Sequence, residues 1–383
     1  MKIAQIAPLF ESVPPRLYGG TERVVSYLTE ELVNQGHQVT LFASADSVTT
    51  AELVACSTRA LRLDASVRDP IPHFMLMLDE VRERAEEFDV LHFHIDYLHF
   101  PLFRPDATRI LTTLHGRQDL ADHKGFYLRF DDMPLVSISD AQRAPIGRAN
   151  FVATVHHGIP LDLHRPNLGA GGGGGYLAFL GRISPEKRPD RAIAVARATG
   201  MPLKIAAKVD KTDEAYFRET IAPLLEGPHV EFVGEINERE KSEFLSEASA
   251  LLFPVDWPEP FGLVMIEAMA CGTPVLAFRC GSVPEIVEDG VTGRIVETMD
   301  EALCAVPQVL ALDRRAVRRR FEERFSAARM ARDYLRIYRS MLRKQDAPQE
   351  DLAEDSLAEP SLLSPISDAK YREGAEKRAA DLA

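Results

Sequence analysis

Cysteine is scarce in this chain: Cys56, Cys271, Cys280 and Cys304 are the four present, with no CxxC pair and no metal-ligand spacing. That pattern excludes a disulfide-stapled scaffold and predicts free thiols in a reducing compartment, the cytoplasm. Long apolar runs are missing as well. Without a stretch of about 18 apolar residues no membrane-spanning helix is expected, and Met1 to Ala7 is too short and mixed for a signal peptide. Positive charge is in deficit, with 45 Lys and Arg against 58 Asp and Glu for a formal charge of −13. An acidic total argues against broad nucleic-acid binding, which depends on summed basic charge. What remains is ordinary: 45% hydrophobic and 27% charged residues over 383 positions, enough for about two or three domains.

Residues 2 to 7 read as a buried strand, Glu22 to Gln35 as a helix ending at Gly36, and Val39 to Ala43 as the next strand. Strand, helix and strand in so short a span predict a parallel pair with a crossover helix. Apolar runs recur at Val90 to Phe93, Ile110 to Leu114, Leu135 to Ile138 and Phe151 to Val155. The glycine run around Gly169 to Gly175 then interrupts the pattern, because so permissive a backbone does not belong inside a packed element. Beyond it the alternation resumes, with strands at Tyr176 to Leu180, Leu203 to Ala207, Val230 to Val233, Leu251 to Phe253 and Pro274 to Ala277. Helices are expected between them, among these Pro189 to Ala198, Glu238 to Ala248 and Leu263 to Ala270. The fold class is therefore α/β, two doubly wound halves, with ligands expected beyond the strand C-termini in the cleft between them.

Arg314 to Lys344 holds twelve basic residues against Glu322, Glu323 and Asp333. It reads either as a solvated helical face or as contact with anionic lipid or an anionic acceptor, so peripheral membrane contact stays open. Gln345 to Ala383 is acidic, contains Pro348, Pro360 and Pro365, and is expected to be a mobile tail.

The segment richest in chemistry runs from Glu259 to Pro274. Glu259 precedes a helix opened by Pro260 and Gly262, and Glu267 lies inside it among apolar neighbours. A carboxylate buried there is costly unless hydroxyls or charges satisfy it. Free N–H groups at Gly262 and Leu263 suit a phosphate, so two carboxylates beside that helix end suggest a nucleotide sugar. Arg182 and Lys187 follow the first strand of the second half and are placed to neutralise a diphosphate. Gly19-Gly20 is a comparable strand-to-helix turn in the first half. His92, His94, Asp96 and His99 have the wrong disposition for a metal and read as structural or cleft-lining, whereas His115, just after a strand, is a functional candidate. There is also no Asp-x-Asp in the chain, the motif that binds metal and diphosphate in another large class of sugar transferases.

In combination these residues resemble glycosyltransferase family 4, over roughly Lys2 to Tyr338. The resemblance is carried by Gly19-Gly20, His115-Gly116, Gly181-Arg182 with Pro185-Glu186-Lys187, the Glu259 to Glu267 segment, and Gly281-Ser282-Val283-Pro284-Glu285 with Asp289-Gly290 and Gly293. It implies the GT-B architecture: two Rossmann-like domains facing a cleft, with 1–168 on the acceptor side, a linker at 169–175, a donor domain at 176–325, a helix at 326–344 packing back on the first domain, and the tail at 345–383. It implies metal-independent, retaining transfer from a nucleotide diphosphate-sugar, UDP-linked by first choice, to a hydroxyl on a sugar, lipid or small molecule, with no cofactor. Arg182 and Lys187 would then bind the diphosphate, Gly262 and Leu263 the phosphates, Glu259 the donor sugar and Glu267 the ribose. His115 would line the sugar site and Gly20 would approach the diphosphate. Ser282, where a second glycine is usual, and His157-Gly158, in place of Asn-Gly, depart from the pattern. A sugar-nucleotide epimerase, a phosphorylase or a silent nucleotide-sugar binder shares many of these features. The acceptor is not readable, its contacts falling to first-domain loops such as Phe10 to Tyr18 and Asp119 to Arg129.

Overall fold

The computed structural model describes residues 1–16, 19–169, 175–227 and 229–346, with side chains to residue 343. Two fully parallel sheets organise the chain. The first holds β1 (Lys2–Ile6), β2 (Gln38–Ser44), β3 (Glu52–Ser57), β4 (Val90–Phe93), β5 (Ile110–Thr113), β6 (Leu135–Ser137) and β7 (Phe151–Thr154), in the order 3-2-1-4-5-6-7. The second holds β8 (Tyr176–Arg182), β9 (Leu203–Lys208), β10 (Val230–Gly234), β11 (Ala248–Phe253), β12 (Val275–Phe278) and β13 (Gly293–Val296), in the order 10-9-8-11-12-13. Central strands such as β1 and β4 are buried almost throughout, which is why they read as mainly apolar runs with Gln5 and His92 as the buried polar exceptions.

In both sheets the order reverses beside the first strand, between β1 and β4 and between β8 and β11. At such a switch point the loops leave in opposite directions and open a crevice at the strand C-termini. The turn at Gly19-Gly20 follows β1, His94 to Asp96 follow β4, Arg182 to Lys187 follow β8, and Pro254 to Gly262 follow β11. The topology thus delivers the candidate residues to one place.

Several elements escaped the sequence patterns. β3 is an edge strand with half-exposed residues on both faces and so lacks an apolar run. β13, Gly-Arg-Ile-Val, is too short and mixed to stand out. The helices Ile71–Glu83 and Met299–Leu310 were not expected either, and the stretch taken as a loop after Asp119 contains the helix Ala121–Arg129.

Part of the basic segment is the solvated face expected of it, with Arg315, Arg319, Arg332, Arg336 and Arg339 exposed, and part is not. The segment is two helices, Arg314–Arg324 and Ala327–Asp346, broken at Phe325 and Ser326. Several of its arginines face inward. Arg314 donates to the carbonyls of Asn167, Ser246 and Ala248, Arg318 to those of Leu161 and Ala270, and Arg329 to those of His156 and His157. These guanidiniums satisfy strand and helix ends that would otherwise be buried unpaired.

The last helix lies on the first sheet. Met330, Ala331, Tyr334, Leu335 and Tyr338 are buried with Ile3, Val24, Leu28, Val90 and Leu111, and a large apolar side chain so buried contributes about 1.5–3 kcal/mol. Gln345 and Asp346 continue this helix. The expected mobile tail otherwise falls at 347–383, and the linker glycines fall at 170–174; both lie outside the described residues. Among those described, no helix is long and apolar enough to cross a membrane.

Candidate active site

On the second half, Gly262 opens the helix Leu263–Ala270 with φ 79°, a left-handed conformation that favours glycine. A Cβ there would also sit 2.7 Å from Met265 Cε and 2.9 Å from Phe253 Cζ. The loop before it is shaped from behind by Gly281, where a Cβ would come within 2.4 Å of the Glu259 backbone. Ser282, the departure from the family pattern, is part of the same brace: its N–H donates to Glu259 O and its hydroxyl to Phe261 O, both at 2.9 Å. Glu259 is therefore held by its backbone. Its Oε2 accepts from Trp257 Nε1 at 2.8 Å and pairs with the Lys187 ammonium. Two residues given separate tasks from sequence are thus in direct contact.

Glu267 is 4% exposed and meets a cation rather than standing alone. Lys241 Nζ lies 2.8 Å from Glu267 Oε1 and 3.3 Å from Glu238 Oε2. Burial pushes the Glu267 carboxyl up, but Lys241, with His164 and Arg23 behind it, outweighs that and holds it below its ordinary value. Arg23, from the first-half helix Gly20–Asn34, pairs with Glu238 and so ties the two halves together. His164, Glu238 and Glu267 form the one cluster with metal-ligating spacing among the described residues. The Lys241 ammonium already supplies its counter-charge. Arg182 pairs with Glu186 at 2.5 Å, with Asp210 and Asp213 each at 3.7 Å.

On the first half, the histidines form a relay. His94 Nε2 contacts Gln5 Oε1 at 2.8 Å and His94 Nδ1 contacts His115 Nε2 at 2.9 Å. Gln5 Oε1 can only accept, so His94 carries its proton on Nε2 and accepts at Nδ1, and His115 donates from Nε2. That leaves His115 Nδ1 as a buried acceptor without a partner among the described residues. Burial drives the His115 pKa down to about 3 and His94 well below its ordinary value, so the relay is neutral and suits a hydroxyl better than a phosphate. His92 bonds Tyr338 at 2.7 Å and Thr113 at 2.8 Å, and His99 bonds Thr112 at 2.9 Å; these two are structural.

The halves meet in one cleft of about 740 Å³, and Gly19, Gly20, His115, Arg182, Lys187, Glu259, Gly262, Leu263 and Glu267 all line it. A Cβ on Gly20 would lie 3.6 Å from Leu263 Cδ1, so the first-half turn faces the second-half helix start. Between the two halves, Glu285 also accepts the backbone N–H groups of Asp140 and Ala141 at 2.8 Å each. Sequence reasoning missed Trp257, Lys241 and Arg23 as parts of this region. Trp257 had a signal, being the chain's one tryptophan two places before Glu259. Lys241 sits on a polar helix and Arg23 on an amphipathic one, and neither had any.

With this geometry in view, the family models are decisive. Residues 18–137 match Glycosyltransferase Family 4 and residues 162–324 match Glycosyl transferases group 1. The chain belongs to glycosyltransferase family 4. It is 32% identical over 215 residues to the D-inositol 3-phosphate glycosyltransferase of Mycobacterium leprae, covering 48% of this chain and 46% of that one. Over 179 residues it is 35% identical to the protein of that name from Mycolicibacterium paratuberculosis, covering 43% of this chain and 39% of that one. The matches thus span less than half the length of these relatives. Among solved structures, AviGT4, a glycosyltransferase involved in avilamycin A biosynthesis, is similar with a TM-score of 0.71 and 25% identity, covering 89% of this chain and 98% of the other. Sucrose-phosphate synthase from Thermosynechococcus elongatus shares the fold with a TM-score of 0.73 at 18% identity, covering 90% and 99%. As a family 4 member with two Rossmann-like sheets, the chain has the GT-B fold. Anabaena HepE, solved with UDP and glucose, shares it too, with a TM-score of 0.68 at 16% identity over 89% of this chain and 100% of that one.

Proposed function

We propose that this family 4 protein transfers a sugar from a nucleoside diphosphate donor, UDP by first choice, to a hydroxyl acceptor with retention at the anomeric carbon. The observation carrying this reading is the convergence, on the second-half wall of one cleft, of the Gly262 helix start, the Lys187–Glu259 pair and the buried Glu267 with its cation. Each matches a different part of such a donor. Glu267 accepts ribose hydroxyls, the Gly262 and Leu263 N–H groups meet phosphate oxygens, and Glu259 holds a sugar hydroxyl. His115 Nδ1 accepts another sugar hydroxyl from the first-half wall, and Gly20 leaves room for the diphosphate.

As the anomeric C–O bond breaks, charge grows on the departing diphosphate. Arg182, Lys187 and the helix N-terminus stabilise that charge more than the ground state, which is what lowers a barrier. Their carboxylate partners keep both cations in place before the donor arrives. The acceptor attacks from the face the diphosphate leaves, which yields retention. These fixed cations do the work a divalent ion does elsewhere, so the reaction proceeds without metal or cofactor. The decisive experiment is a product analysis with UDP-, GDP- and ADP-sugars and a panel of hydroxyl acceptors, in chelator and then in magnesium. Release of diphosphate with a retained glycosidic linkage in chelator is expected. An epimerised donor, an inverted linkage or activity strictly dependent on magnesium would overturn the corresponding part.

A further inference from the structure

The first-half wall of the cleft carries the acidic and basic side chains Glu22, Arg23, Arg62, His94, Asp96, His115 and His157, with the Tyr97 phenol beside them. Most are already committed. Arg23 pairs with Glu238 and Arg62 with Glu11, His94 and His115 hold each other, and Glu22, which like Asp96 forms no ion pair among the described residues, is buried at 6% exposure. Asp96 stands apart. It sits just beyond β4, half-buried, and forms no ion pair with a cation among the described residues. The backbone N–H of His115 lies near enough to favour its charged form, so Asp96 stands beside the residue whose Nδ1 awaits a hydroxyl.

We propose that the Asp96 carboxylate binds the acceptor hydroxyl and takes its proton as the new glycosidic bond forms. This rests on the transferase reading above. A carboxylate with no cation beside it, in a wall facing a donor site, is suited to a neutral O–H donor, and an acceptor hydroxyl is the one the reaction requires. The local backbone does not account for the side chain. Asp96 has φ 53°, a conformation Asn or Gly would hold as well, so shape alone does not call for a charge. In the step itself the acceptor oxygen forms a bond to the anomeric carbon while the bond to the diphosphate breaks and its electron pair leaves with the diphosphate. The acceptor proton passes to Asp96 and then to water. Burial supports this basicity by raising the Asp96 carboxyl to about 6, ionised at neutral pH yet a stronger base than an ordinary carboxylate. The titratable groups around it are Tyr97 on its own loop, His115 after β5 and Tyr127 from Ala121–Arg129. Burial keeps His115 neutral and pushes Tyr127 upward, so none supplies a positive charge near pH 7.

The test uses the full chain with Asp96→Asn, which preserves an oxygen for the His115 N–H. Binding of UDP, GDP and ADP is measured by calorimetry, and hydrolysis of UDP-glucose, or of the GDP or ADP counterpart if that nucleotide binds better, is followed with water as the acceptor. We expect unchanged nucleotide affinity and thermal midpoint and a rate lowered about a hundredfold or more. The rise in wild-type rate through about pH 6 should vanish in the variant. Asp96→Glu should recover part of the rate. If the Asn variant loses its fold, Asp96→Gly, compatible with the positive φ, provides the same comparison. Wild-type rates and an intact rise in the variant would overturn the assignment to Asp96 alone, whereas failure of the wild type to bind any of the three diphosphates would overturn the donor reading beneath it.

Discussion

Replacing Lys241 with methionine isolates the ion pair on which the second-half site depends. The substitution keeps most of the stem volume but removes the ammonium 2.8 Å from Glu267. Breaking a buried pair from one side costs about 3–5 kcal/mol, because the remaining charge has lost both water and partner. His164 and Arg23 still favour the Glu267 carboxylate, so the expected loss is at the low end of that range, about 3 kcal/mol. The pH dependence carries the sharper sign. In the wild type the Glu267 carboxyl lies below 4.5, so its contribution is full above that value and is lost as pH falls through the lower folded value. In Lys241→Met, burial dominates and lifts the carboxyl above its unfolded value. The ionised group then destabilises at neutral pH, and acidification relieves it. The stability gap between variant and wild type should therefore narrow as pH falls from about 7 to about 4. The assay is denaturant unfolding across that range, with Glu267→Gln and the double variant completing a cycle. A coupling of about 1.5–3 kcal/mol is expected. A coupling under about 0.5 kcal/mol, with a gap that does not change with pH, would refute the argument that Lys241 neutralises a buried Glu267.

Other outcomes follow from the same geometry. Arg182→Ala and Lys187→Ala should each lower turnover about a hundredfold or more, with Lys187→Arg recovering only part since a planar guanidinium sits differently against Glu259; initial rates at saturating donor check this, and full activity in both would place the diphosphate elsewhere. Glu259→Gln should cut turnover by about a hundredfold while nucleotide affinity changes little, because the nucleotide has its own contacts; a parallel loss of affinity in calorimetry would contradict that division. Gly281→Ala should lower both thermal midpoint and turnover, since its Cβ would fall 2.4 Å from the Glu259 backbone; a wild-type midpoint would show that the loop is not braced there. Deleting residues from 347 onward should leave the folded body and its rate intact, while deleting from Ser326 removes Tyr334 and Tyr338 from the first-sheet core and should abolish cooperative unfolding. Identical behaviour of the two truncations would count against the packed helix.

Much of the fold was legible because parallel strands buried on both faces leave largely apolar runs, and β1, β4 and β8 each have one, broken only by the buried Gln5 in β1 and His92 in β4. Edge strands β3 and β13 have no such constraint and left no pattern. The inward-facing arginines of the basic segment were hidden for a related reason. They look like surface charge in sequence, but Arg314, Arg318 and Arg329 reach backbone carbonyls from distant parts of the chain. No local spacing encodes that.

The sequence by itself determined the α/β class, the two halves and the residue types at the strand ends, because glycine turns, helix starts and buried periodicity are set by nearest neighbours along the chain. Tertiary structure decided who meets whom. Only the fold sets Lys187 against Glu259 and Lys241 against Glu267, joins Arg23 to Glu238 across the two halves, and leaves Asp96 without a cation beside His115. Those pairings arise between residues far apart in sequence, brought together where two sheets reverse their strand order, and burial there changes the charge preferences that an extended chain in water would show.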